Sequence, residues 1–153
     1  MAYKQIITLY EEEEPWFNLS NSVGRPGANR KDDVMLVQAL FGFVAKRRGG
    51  DTSLLGIARN ELPNVTGSLD GSTIWAIQRF QLRWVKFMQM IDSAMRPATY
   101  EGNVQIMGQR VAPITLLVSH ARDVDPLHFT STLLIDFPEL RQFPALDLIL
   151  TLK

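Results

Sequence analysis

The sequence contains no cysteine. A disulfide framework and a thiolate metal site are both excluded, and the absence fits a reducing compartment. Histidine is almost as scarce, with only His120 and His128 present. Their i, i+8 separation across Pro126 is not the i, i+3 or i, i+4 spacing of a helical metal site. No Gly-x-Ser-x-Gly nucleophile elbow occurs. Gly24-Arg25-Pro26-Gly27 lacks the Gly-Lys-Ser/Thr ending of a phosphate loop. No apolar run approaches the roughly twenty residues that span a bilayer. The start, Met1 to Tyr10, has no basic leader, long apolar stretch or small-residue cleavage site. The expectation is a chain that is cytoplasmic as synthesised, without membrane insertion, and delivered by another system if it acts in the periplasm or at the cell wall. On this reading the Asn64-Val65-Thr66 sequon is chance.

Net charge is also missing. Sixteen basic and sixteen acidic residues cancel, which argues against a nucleic-acid partner, since phosphates are drawn by a basic field. Lys46-Arg47-Arg48 is too short to overturn this and reads as a solvated helix end, where cations are favoured. Hydrophobic residues make up 46% of the 153 residues, enough for a core of one domain of ordinary size.

Lys4 to Tyr10 is a β-branched and aromatic run that predicts a strand. Glu11 to Glu14 with Pro15 is expected to end it as a solvated loop, a contact for a basic partner being the sharper reading. Asn18 to Asn29 is rich in Gly, Ser, Asn and Pro and predicts a loop. A first helix is expected from Asp32, whose carboxylate can accept from free first-turn amides. Its stripe is Val34, Val37, Phe41 and Val44, and Gly49-Gly50 ends it. Ser53 to Asn60 suits a short helix, and Pro63 to Gly71 is turn-rich. A second helix of roughly twenty residues, capped by Ser72, carries Ile74, Ile77, Phe80, Trp84, Phe87 and Ile91 on one face and would be the spine of the domain. Ala98 to Tyr100 suits a further turn, and Gly102 to Val111 a loop or short hairpin. Pro113 suits the first turn of a third helix, with Ile114, Leu117, Val118 and Ala121 on its apolar side. Leu127 to Phe137 is helical in part, broken by Pro138. The apolar tail Ala145 to Leu152 is either a strand pairing with Lys4 to Tyr10 or a last helix.

Two phrases stand out. One is Asp33-Val34 with Val37-Gln38 and Leu40. The other is Leu69-Asp70-Gly71-Ser72-Thr73, running on to Phe80-Gln81. Ile91-Asp92 with Pro97, Thr99 and Tyr100 echoes the second. In each echo Asp caps a tight turn and Thr opens the next helical turn. Together, over Gly24 to Tyr100, they resemble the small helical peptidoglycan-binding-like domain family. That family has an Asp-Val-x-x-Val-Gln-x-x-Leu helix and two Asp-Gly-x-x-Gly-Pro-x-Thr turns. The first turn here lacks the intervening Gly-Pro. The second has Ser93 and Arg96 where the family has Gly. The segment Arg47 to Leu69 is longer than the family's.

The resemblance implies a mainly α fold with a peptidoglycan-binding-like three-helix core, an extra N-terminal strand, and C-terminal helices or a strand. The organisation it implies is an extension over 1–28, a core over 29–102, and a C-terminal segment over 103–153 packed on the core. It implies non-catalytic peptidoglycan binding by a bacterial or phage protein, accessory to a wall-active enzyme or to an envelope-crossing secretion or injection system. The alternative is a protein-interaction or structural adaptor reusing the fold in a secretion or phage assembly. The partner is then a peptidoglycan fragment or an assembly protein. No cofactor, metal or catalytic residue is expected. The carboxylates Glu61, Asp70, Asp92 and Glu101 could serve a wall hydrolase only if folding brought two to one cleft.

The ligand-binding candidates are Asp70, Gly71, Thr73, Trp75, Arg79, Asp92, Thr99 and Tyr100. Trp75 lies off the apolar stripe and is either a second core face or an exposed platform for a sugar or peptide face. Tyr3, Trp16 and Trp84 are further aromatic candidates, with Trp84 read as core. Arg79 and Arg83 lie four apart, on a solvated face or facing an anionic group. Gln38 and Gln81 are read as satisfying backbone groups at the edges of apolar helices.

Overall fold

A computed structural model describes residues 2–9, 12–87, 94–97 and 112–147. At its centre is helix α1, Lys31–Arg47. The expected stripe Val34, Val37, Phe41 and Val44 is buried, but so are Met35, Leu36, Ala39, Leu40, Phe43 and Ala45 on the other sides. A helix apolar all round must be enclosed all round. Here it is covered by later helices and turns, and α1 rather than the second helix is the spine. Its end follows a Schellman pattern. Gly50 N–H donates to the Ala45 carbonyl at 2.7 Å and Gly49 N–H to Lys46 at 3.2 Å. Both glycines have positive φ, 66° and 89°, a backbone region that side chains disfavour.

The start of α1 departs from expectation. Arg30 holds the cap position in extended conformation with no side-chain cap. Asp32 and Asp33 lie inside the first turn, buried, and reach backwards instead. Asp32 accepts from the Ala2 amide. Asp33 accepts from the Ser20 amide and hydroxyl, both at 3.0 Å, and from the Asn21 amide at 3.1 Å. Burial pushes the Asp33 carboxyl up, partly opposed by the two Ser20 bonds. The dipole at the helix N-terminus favours both carboxylates there, and the N-terminal segment is thereby tied to α1.

The N-terminal extension is a hairpin, not a single strand. Strand β1, Tyr3–Leu9, pairs antiparallel with β2, Glu12–Asn18. Glu12 to Glu14, expected to lie in a loop, form the start of β2, with Leu9 opposite Glu12 and Ile7 opposite Glu14. Glutamate is a poor strand former in isolation; pairing with β1 outweighs that preference. The hairpin is fastened by Phe17, fully buried and edge-on to Phe129 at 5.6 Å.

Helix α2, Gly71–Arg83, has 13 residues, shorter than expected, and a 3₁₀ turn Val85–Phe87 follows. Thr73, Ala76, Ile77, Phe80 and Gln81 are its buried side. Phe80 meets Phe41 of α1 edge-on at 5.9 Å. Trp84 is only partly buried, its indole N–H donating to the Leu54 carbonyl at 2.6 Å. Phe87 is exposed; Ile91 lies outside the described residues. A two-residue strand β3, Val23–Gly24, pairs with β4, Ala94–Met95, linking the chain before α1 to the chain after α2. The Gln81 amide donates to the Ala94 carbonyl at 2.9 Å, holding this pair against α2.

Helix α3, Pro113–Val124, starts at its proline as expected, with Ile114, Leu117, Val118 and Ala121 buried. It packs along α1. Helix α4, Phe129–Asp136, gives way to a 3₁₀ turn at Pro138–Gln142, and a short helix α5, Pro144–Asp147, follows. Asp136 at the end of α4 takes Arg47 through two bonds of 2.9 Å and Lys46 at 3.3 Å, so the basic end of α1 is an anchor as well as a solvated tip. Among the described residues β1 pairs with β2; Gly102 to Val111, and Leu148 to Leu152 of the tail expected to pair with β1, lie outside the described residues. The described chain is mainly helical.

Candidate functional site

The site nominated from sequence begins at the turn before α2. Asp70 is the N-cap, its backbone extended at φ −135° and ψ 176°. Its Oδ1 accepts from Thr73 N–H at 2.8 Å, Thr73 hydroxyl at 2.7 Å and Ser72 hydroxyl at 2.8 Å. The cap is therefore Asp70, with Ser72 supporting it. Burial works to raise the Asp70 carboxyl, but the Thr73 and Ser72 bonds outweigh it and hold it below the usual range. Gly71 opens the helix with free space where a side chain would be.

Behind this turn sits Gln38, fully buried in α1. Its amide nitrogen faces the Ser68 carbonyl and Thr73 hydroxyl at 3.0 Å and the Thr66 hydroxyl at 3.4 Å. Its oxygen accepts from the Thr66 and Gly67 amides, both at 2.9 Å. One side chain thus satisfies the irregular backbone between the helices and fixes the first turn of α2. A buried amide with every group paired is a structural tie. It leaves Thr73 facing inward.

Further along α2 the side chains turn outward. Trp75 is 44% exposed. The Arg79 guanidinium lies over its ring, 5.6 Å from the centroid, and also donates to the Gly56 carbonyl at 3.4 Å. Arg83 covers Trp84 at 4.6 Å. Leu82, Val85 and Phe87 are 56%, 40% and 45% exposed. No carboxylate among the described residues pairs with Arg79, Arg83 or Lys86. Sequence reading missed Leu82 and Val85 and set Phe87 in the core. The signal was present in the i, i+7 spacing of Trp75 and Leu82, and in a run from Gly71 to Met90 with no acidic residue.

Of the nominated residues, Asp70, Gly71, Thr73, Trp75 and Arg79 share one segment, Asp70 and Thr73 bonded to each other. Asp92, Thr99 and Tyr100 lie outside the described residues, as does Glu101. The Glu61 carboxylate accepts from the Ala58 amide at 2.7 Å.

The two histidines have separate surroundings. His128 is exposed, with Asp125 at 3.7 Å. His120 packs edge-on to Phe80 at 6.0 Å and against Trp84 at 5.0 Å. Its Nε2 is buried with no hydrogen-bond partner among the described residues. Burial, then the nearby Arg48 and Arg83 charges, push it down to about 4, so the ring is neutral near pH 7. Among the described residues no group of three or more His, Asp or Glu is placed to hold a metal ion, and no helix is long and apolar enough to cross a membrane. A cavity of about 350 Å³ lies apart from α2, at the start of α1, lined by Arg30, Lys31, Asp32, Phe143 and Pro144.

Comparison with known proteins finds no matching family model, no matching curated protein and no matching solved structure.

Proposed function

We propose that this chain is a non-catalytic module that binds cell-wall peptidoglycan through the outer side of α2, as an accessory of a wall-active enzyme or an envelope-crossing secretion or injection system. The observation that carries this reading is the pair of Trp75 and Arg79, exposed side by side just after the Asp70 cap. An indole face suits the C–H face of a sugar ring. A guanidinium beside it suits the carboxylates of a stem peptide. The Asp70 cap and the Gln38 tie hold the first turn of α2 rigid, which lowers the ordering cost of binding. The turn residues themselves then act as scaffold, because Asp70 and Thr73 already have partners.

The test is co-sedimentation with insoluble peptidoglycan sacculi. Wild-type protein is expected in the pellet, with Trp75→Ala and Arg79→Ala shifted to the supernatant. Wild-type protein that stays in the supernatant would defeat the proposal. Breakdown of the sacculi by the pure protein would defeat its non-catalytic part.

A second reading, an adaptor in a secretion or phage assembly, is favoured by Leu82, Val85 and Phe87. Their exposed apolar surface extends beyond what a glycan strand needs and resembles the anchors of a protein interface.

A further inference from the structure

We infer that the outer face of α2 and the following 3₁₀ turn docks an acidic, apolar-anchored segment of a partner protein. This rests on the adaptor reading and adds the chemistry of the partner. Residues at i, i+4 and i+7 share a helix face, which aligns Trp75, Arg79 and Leu82; Val85, Lys86 and Phe87 follow directly. Single exposed apolar residues are ordinary, and Leu127 and Ile135 are of that kind. Four large ones within thirteen residues are a local concentration of exposed apolar side chains, Trp75 and Leu82 on one side of α2 and Val85 and Phe87 on the turn that ends it.

Charge decides the occupant. At the end of α1 the cations meet carboxylates: Lys46 and Arg47 meet Asp136, and Arg48 meets Asp51 at 3.1 Å. From Gly71 to Met90 the chain has no acidic residue, and Arg79, Arg83 and Lys86 make no ion pair with a carboxylate among the described residues. The whole chain is neutral, so this is segregation rather than a general excess. Three cations interspersed with four exposed apolar side chains complement carboxylates flanking apolar anchors. A nucleic acid would use the cations but leave the Leu, Val and Phe surface in water, and it would meet no long-range basic field.

The probe is a fluorescent synthetic peptide with Leu at helical spacings of three and four and Glu elsewhere. A twin carries Lys for every Glu. Anisotropy with the full chain should show the Glu peptide bound and the Lys twin unbound, with affinity falling roughly tenfold or more from low to high salt. Lys86→Glu combined with Arg79→Glu should reverse the preference. Leu82→Ser, at a side chain largely in water, should weaken binding without changing the unfolding midpoint. If both peptides bind equally, the charge complementarity is wrong and the adaptor reading survives alone. If neither binds, both fall. Displacement of the Glu peptide by oligo-dT would hand the face to nucleic acid. A wild-type dimer dissolved by the double substitution in sedimentation would hand it to a second copy, and either result overturns the inference. Peptide binding without pelleting on sacculi supports this docking face while the wall proposal fails; pelleting without peptide binding does the reverse.

Discussion

Helices α1 and α2 carry the two most distinctive phrases of the chain, yet they use similar residues for opposite ends. Helix α1 is enclosed, and even its polar residues Asp32, Asp33 and Gln38 are buried and bonded. Helix α2 buries one side only and leaves Trp75, Arg79 and Leu82 outward, with no ion pair from Arg79 to a carboxylate among the described residues. A glutamine inside α1 holds the start of α2, so the enclosed helix positions the open one. Polarity alone therefore does not mark function here. A polar group with all its bonds made inside the fold is architecture, while an aromatic–cation pair left in water is available for a ligand.

Four measurements would break or sharpen this contrast. Gln38→Leu should have the largest effect. It strands the Thr66 and Gly67 amides, each costing about 1–3 kcal/mol when left unpaired, for a loss of about 3 kcal/mol. Urea unfolding measures it, and a loss below about 1 kcal/mol would mean that the tie does not position α2.

Acid should act next, at the seam between α2 and α3. The folded His120 is held at about 4, below its ordinary 6.5. As pH falls from 6.5 toward 4, the unfolded chain takes up a proton that the folded chain refuses, so stability drops over that window and no further below it. The shift sets a ceiling of about 3 kcal/mol, and the partial exposure of the ring reduces the expected loss to about 2 kcal/mol. His120→Phe should flatten that part of the stability–pH curve; an unchanged curve would show that His120 does not titrate as described.

Asp70→Ala should cost about 1 kcal/mol, the usual value of an N-cap. Because the folded carboxyl sits below its ordinary range, the stability it supplies is present above that range and disappears as pH falls through the folded value. A wild-type-like midpoint would remove Asp70 from the scaffold and return it to the ligand candidates. Trp75→Ala should be the mildest in stability, within about 0.5 kcal/mol, while abolishing retention on sacculi. A loss above about 2 kcal/mol would make Trp75 a core residue and erase the difference between the two faces.

Much of the local structure was legible in advance because local chemistry decides it. Pro113 starts α3 since its missing N–H would have had no partner there. Gly49-Gly50 ends α1 because the positive φ values suit glycine. Asp70 and Thr73 make a cap at short range. Gln38 and Gln81 meet backbone groups, as apolar surroundings require of an amide. Elements whose outcome depends on a distant partner were not legible. Glu12 to Glu14 are in a strand because β1 pairs with them. Helix α2 stops at Arg83 with no glycine or proline to stop it; there Trp84 turns its indole to the Leu54 carbonyl, thirty residues away in sequence. Phe87 fell outside the core for the same reason.

By itself, the sequence determined that α3 begins at Pro113 and α1 ends at Gly49, and that the two phrases lead into helices, because capping and φ preferences act within a few residues. Only the tertiary structure decided that α1 is enclosed on every side, that Glu12 to Glu14 belong to a strand, and that Trp75 stands in water beside Arg79. Burial is a property of what packs against a residue, and the neighbours of α1 come from α3, α4 and the 3₁₀ turn Pro138–Gln142, far away along the chain.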